Sequence, residues 1–185
     1  MGDRMKQHEP LIQEFFDHAK TIPLSQVTFS QEVRKLCEQN MCGNFGKSWT
    51  CPPAVGSIEE LQTQISSFTR ILLVDKVYPL EDSFDWEGMK KGGRDFQLQL
   101  LKFKKRIKEA DPERLFTVLG AGACKLCETC TYREEKPCRK PDHAIVSLEA
   151  FGIDVMKMMQ ESGLKVNNGP NTVTYIGGIF HGETD

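Results

Sequence analysis

Three cysteines spaced by two residues, Cys124, Cys127 and Cys130, followed by Cys138, constrain this chain more than any other feature. Two residues between successive thiols bring three sulfurs round one tight loop, so the chain must fold around a point where they can converge. Iron–sulfur cubanes are commonly held by a close cysteine triplet, a fourth thiolate and often a nearby proline. Here the fourth cysteine lies in Lys136-Pro137-Cys138-Arg139-Lys140-Pro141, after seven intervening residues. The ferredoxin run differs, because its fourth cysteine follows after three residues and usually ligates the other cluster. Four thiolates suit tetrahedral zinc equally well, although zinc sites usually arrive as two separated Cys-x-x-Cys pairs. A [4Fe-4S] cluster on Cys124, Cys127, Cys130 and Cys138 is therefore the expectation, with zinc as the alternative. A disulfide framework fits poorly: the cysteines number seven, an odd count. The N-terminal stretch MGDRMKQHEPLIQEFFDHAK also has no apolar signal core and reads as an amphipathic helix.

The remaining cysteines form a second constellation, Cys37, Cys42 and Cys51, within fifteen residues. Gly43 and Gly46 let the backbone fold closely round a ligand, and Pro52 and Pro53 stiffen the exit after Cys51. Two readings stand. The three thiols form a second centre whose fourth position is filled by a distant group or left open. Otherwise they are small buried side chains packed under Trp49 and Phe45, as free cysteine often is.

The order Cys42-Gly-Asn-Phe-Gly-Lys-Ser-Trp-Thr-Cys51-Pro-Pro, then the triplet, then Pro137-Cys138-Arg139-Lys-Pro141, then Ser147-Leu-Glu-Ala-Phe-Gly-Ile-Asp-Val155 resembles an uncharacterised prokaryotic family. Its members are labelled predicted metal-binding proteins. The resemblance runs from about Cys37 to the last strand. It implies metal binding by the cysteines, and it implies neither a reaction nor a choice between iron and zinc.

A chain of 185 residues suits one domain with a real core, here the whole of 1–185. A formal net charge of −2 gives no electrostatic case for nucleic acid. No apolar run approaches the ~20 residues that cross a bilayer, so no membrane partner and a cytoplasmic location are expected. The iron–sulfur reading implies a redox partner protein. The oligomeric state has no legible signal.

Periodicity predicts a first helix through Leu11, Ile12, Phe15, Phe16 and Ala19, ended by Thr21-Ile-Pro23. Ser30 is placed to cap a short helix running into Cys37, and Ser57-Ile-Glu-Glu60 has capping-box spacing before Leu61 and Ile65. Thr69–Tyr78 reads as a central strand. Phe96, Leu100, Phe103, Ile107 and Ala110 step along a long helix from about Asp85 to Glu109, and Leu115–Leu119 is a strand that empties into Gly120-Ala-Gly122-Ala-Cys124. That junction places the triplet at a sheet edge, where the glycines either bring N–H groups near the sulfurs or serve only a left-handed turn. Ser147 begins a helical stretch through Phe151, Val155, Met158 and Met159, stopped near Gly163, with a break available at Gly152. Thr172–Ile176 is the last strand, able to run on to Phe180. The expected fold is a single-domain α/β sandwich, a β-α-β-α-β core with a cysteine-rich metal-binding face.

Several residues carry less. Lys102, Lys104, Lys105, Arg106 and Lys108 read as the solvated face of the long helix, with a docking patch for an acidic redox partner as the other reading. His143 reads as an exposed loop residue and His181 as part of a mobile tail. Met156, Met158 and Met159 read as core packing. Lys47 and Trp49 are placed to contact a substrate or to cover the second centre. No Ser/His/Asp arrangement, Gly-x-Gly-x-x-Gly or phosphate-loop motif is legible. Three functions remain open: an iron–sulfur electron carrier or redox accessory protein, an enzyme with an open-site centre, or a zinc-held interaction module.

Overall fold

The apolar run Ile71-Leu72-Leu73-Val74 is the middle of the molecule, each residue buried. It lies in strand β2 (Arg70–Pro79) of a computed structural model in which residues 5–182 are described. Successive strand side chains point to opposite faces. Ile71 and Leu73 accordingly join one hydrophobic cluster, and Leu72 and Val74 join another. A strand buried on both faces must have partners on both edges. β2 pairs antiparallel with β1 (His18–Pro23) and with β4 (Thr172–His181), and β4 pairs antiparallel with β3 (Phe116–Leu119). The sheet order is β1-β2-β4-β3, which leaves β3 at an edge.

One face of the sheet is covered by α1 (Glu9–Phe15) and α4 (Trp86–Ala110). The stripe Phe96, Leu100, Phe103 and Ile107 packs with Phe15, Phe16, Leu72, Val74 and Ile179. The rings of Phe16 and Phe103 meet edge-on with centroids 5.2 Å apart. Asp85 caps α4 by accepting a hydrogen bond from Gly88 N–H at 2.8 Å, and the helix gives way at Asp111. The other face carries Leu61 of α3 (Ile58–Gln64) and Val155, Met158 and Met159 of α5 (Val155–Ser162), clustered with Ile71, Leu73, Ile176 and Phe180. Ser57 and Glu60 form the capping box that the sequence announces. A sheet between two helical layers is the expected α/β sandwich. α2 (Gln31–Glu38) runs through Cys37, and Ser30 occupies its N-cap position without a side-chain hydrogen bond to the helix.

Three sequence expectations change. The first helix ends at Phe15, and His18–Pro23 is a strand paired with Asp75–Arg70, so Ala19 and Ile22 belong to β1. Among the described residues the core therefore has four strands, all paired antiparallel. The helix expected from Ser147 begins only at Val155, because Gly152 adopts φ +85° and the chain turns there. A Cβ at that position would lie 2.7 Å from Ile58, so the turn depends on glycine twice over. Met158 and Met159 are fully buried as expected, whereas Met156 is 64% exposed and packs into no core.

Candidate metal centre

β3 delivers the triplet to the sheet edge. Gly120 N–H donates to Val146 O at 2.9 Å and Gly120 O accepts from Leu148 N–H at 3.0 Å, so the strand end is clamped to the segment after the cysteine loop. Gly122 then turns the chain at φ +68°, a conformation that a side chain disfavours. The next residues are held by α4. Gln97, buried within that helix, donates from Nε2 to Ala123 O at 2.8 Å and accepts from Lys125 N–H at 3.2 Å. Cys124 lies between these two bonds, and its own N–H donates to Thr50 Oγ1 at 3.2 Å. The backbone on both sides of the first thiol is thus fixed before any ligand arrives.

The rest of the loop is tied back on itself. Thr131 Oγ1 donates to Pro137 O at 2.9 Å, and Arg139 donates to Thr129 O at 3.0 Å. Lys140 Nζ lies 3.4 Å from Leu126 O, and Lys104 of α4 donates to Asp142 O at 2.7 Å. These ties return Cys138 to the triplet. Cys124, Cys127, Cys130 and Cys138 line one cleft of about 20 Å³, with Ser48, Trp49 and Thr50 on its wall. Trp49 closes that side: its indole N–H donates to Lys136 O at 3.1 Å, and its ring meets Tyr132 edge-on at 4.9 Å.

The electrostatics differ from thiol to thiol. Burial pushes the Cys124 thiol up, and the neighbouring Cys127, Cys138 and Cys130 add to the shift against one N–H donor from Leu126. Burial also acts on Cys130, but that sulfur accepts from the N–H groups of Tyr132 and Trp49 and from the Ser48 hydroxyl, beside Arg139, and its pKa lies below the ordinary thiol value. The glycine turn is a left-handed turn at Gly122, and it does not supply the N–H groups found at these sulfurs. Those that reach Cys124 and Cys130 come from Leu126, Tyr132 and Trp49, while Gly120 N–H is bonded to Val146.

Cys37, Cys42 and Cys51 line a different and larger pocket of about 210 Å³, together with Phe45, Pro52, Gly122, Ala123, Ser147, Glu149 and Ala150. The loop between them is shaped locally. Phe45 N–H donates to Asn40 Oδ1 at 3.0 Å, and Gly46 N–H donates to Pro52 O at 2.8 Å. Burial raises the Cys37 and Cys51 thiols; Arg34 opposes the rise at Cys37, and the Thr50 and Ser48 hydroxyls oppose it at Cys51. Lys47 donates to Gly43 O and is exposed. Trp49 covers the four-thiol cleft and does not line the three-thiol pocket, so its expected place over the second centre is corrected.

All seven cysteines are free thiols. Four of them fit an iron–sulfur cluster or a zinc ion by donor type: sulfur only, no carboxylate in the lining, and N–H donors to two of the sulfurs. Among the described residues, no three His, Cys, Asp or Glu side chains converge as the shell of one metal ion; the thiols face a common cleft without meeting at a point. His143 is exposed in the turn Pro141–His143. His181 is buried in β4 with Nδ1 3.3 Å from Arg114, which corrects its reading as a mobile tail. On α4, Lys105 and Arg106 pair with Glu109 and Glu14, and Lys108 bonds to Pro112 O, which fits a solvated helix face.

Sequence reasoning missed Gln97, Ser48 and Thr50. Gln97 had a signal, a polar side chain beside Phe96 on the buried stripe of α4, since buried amides require partners. Ser48 and Thr50 had none, because their role depends on the approach of a segment more than seventy residues away.

Among the described residues no helix is long and apolar enough to cross a membrane. No curated protein and no solved structure matches the chain. A family-wide sequence model matches residues 20–181, nearly all of the sheet and both cysteine groups. The chain belongs to DUF2284, a family of predicted metal-binding proteins.

Proposed function

We propose that Cys124, Cys127, Cys130 and Cys138 hold a [4Fe-4S] cluster and that the protein is an electron-transfer or redox accessory protein. The observation that carries this reading is the single narrow cleft lined by four thiols, with N–H donors aimed at Cys124 and Cys130. Such donors stabilise charge on cluster sulfurs and tune reduction potential. A cluster bound there would supply one-electron chemistry. The chain's own contribution is to fix Cys124 between Gln97 and Thr50, to return Cys138 to the triplet, and to shield the sulfurs with Trp49 and Tyr132. The test is anaerobic purification with metal and sulfide analysis. About four iron and four sulfide per complete cluster are expected. Stoichiometric zinc without sulfide, from cells supplied with iron and sulfur, would replace the iron reading with a structural zinc site.

A second reading rests on the other cysteines. Cys37, Cys42 and Cys51 line a pocket of about 210 Å³, which has room for a small molecule beside three thiolates. A centre there with an open fourth position would make the protein an enzyme. A change in the visible spectrum on adding a small ligand, lost when these three cysteines are replaced by alanine, separates that reading from the simple carrier.

A further inference from the structure

We infer that the two thiol sets form one two-centre unit, divided by a shared wall that a single residue step along the chain crosses. The inference rests on the reading that each set holds a centre.

The wall consists of two short segments. Ser48, Trp49 and Thr50 line the four-thiol cleft, and the next residue, Cys51, faces the three-thiol pocket. Gly122 and Ala123 line the three-thiol pocket, and the next residue, Cys124, faces the cleft. One residue step along either segment therefore crosses from one set to the other. The segments are pinned together, because Cys124 N–H donates to Thr50 Oγ1 at 3.2 Å and Thr50 Oγ1 lies 3.1 Å from Ser48 Oγ. Ser48 and Thr50 are both buried, so water does not intervene at this contact.

The two centres would therefore face each other across one buried, hydrogen-bonded layer of two short segments, near enough for the unpaired electrons of one to sense those of the other. The pocket of about 210 Å³ on the Cys51 side has room for a small ligand beside its thiols.

The experiment is electron paramagnetic resonance of the full chain, purified anaerobically and reduced with dithionite. Two signals split or broadened by mutual magnetic interaction are expected. The Cys37/Cys42/Cys51→Ala variant should collapse them to one narrow, uncoupled signal with about half the iron. Two centres whose spectra add independently overturn the inference and leave the two-centre reading standing. Unaltered iron in the triple variant removes the second centre and the inference with it. The wild-type spectrum decides adjacency even where a variant fails to fold.

Discussion

The two cysteine groups occupy equal lengths of chain, fifteen residues from Cys37 to Cys51 and fifteen from Cys124 to Cys138, yet they fold differently. The later group closes round a cleft of about 20 Å³, and the earlier one lines a pocket of about 210 Å³ with Cys42 exposed. Their ties account for the contrast. The later loop is bonded to α4 through Gln97 and Lys104 and to the earlier loop through Thr50 and Trp49. The loop around Gly43 and Gly46 is held mainly by its own residues. Thiol spacing brings sulfurs into one neighbourhood. Bonds to a rigid helix decide whether they arrive prearranged, which lowers the entropy lost on binding.

The largest expected effect tests the closed side. Cys127→Ala should abolish metal at the four-thiol set and loosen residues 120–144, because ligation energy is folding energy for a loop with little core of its own. Hydrogen exchange should show protection lost there and kept at Phe96, Leu100, Phe103 and Ile107, which are buried in the core beneath the sheet. Unchanged metal content would exclude Cys127 as a ligand. The open side comes next. Replacing Cys37, Cys42 and Cys51 together should remove about one centre's worth of metal and leave the other. A folded variant with full content would return these cysteines to simple packing.

The contrast between the groups was only partly legible in the sequence. Local signals translated directly: the capping box at Ser57 and Glu60, the stripe on α4, and the apolar run of β2 each need only neighbours along the chain. Both sets of thiols were also visible, since spacing is a local property. What failed was non-local. In β1 only Ile22 is buried, so His18–Pro23 carries no alternating pattern and owes its conformation to β2. His181 looked like tail because its burial comes from pairing with Arg70 and Phe116, far off in sequence. The shared wall has the same origin, as Thr50 and Cys124 are far apart in sequence and neighbours only in the folded chain.

Gln97 offers a smaller and more selective perturbation. Gln97→Ala removes both bonds that flank Cys124 and leaves Ala123 O and Lys125 N–H short of partners, at about 1–3 kcal/mol. Groups that orient metal ligands typically change affinity by about 10–100-fold. That loss should fall on the four-thiol set alone, measured by competition with a chelator. Gln97→Glu keeps an acceptor for Lys125 N–H and loses the donor to Ala123 O, so it should fall between. An equal loss at both sets would mean that α4 positions the whole wall and not one loop.

The smallest effect compares individual thiols in metal-free protein. Only the thiolate reacts with iodoacetamide, so the rate at each cysteine follows its ionisation. Access scales the rate without moving the pH midpoint of its profile, which makes the midpoint the quantity to compare. Cys130 is held below the ordinary thiol range by the N–H groups of Tyr132 and Trp49 and by Ser48, so its labelling should rise at a lower pH than that of Cys124, Cys37 or Cys51. Cys124, Cys37 and Cys51 are raised, first of all by burial, and their midpoints should lie on the alkaline side. Peptide mass spectrometry across a pH series resolves each site. Ser48→Ala should move the Cys130 midpoint upward, because it removes one donor to that sulfur, and should move Cys51 upward for the same reason. A Cys51 profile that leads that of Cys130 would place the prearranged thiolate in the open pocket.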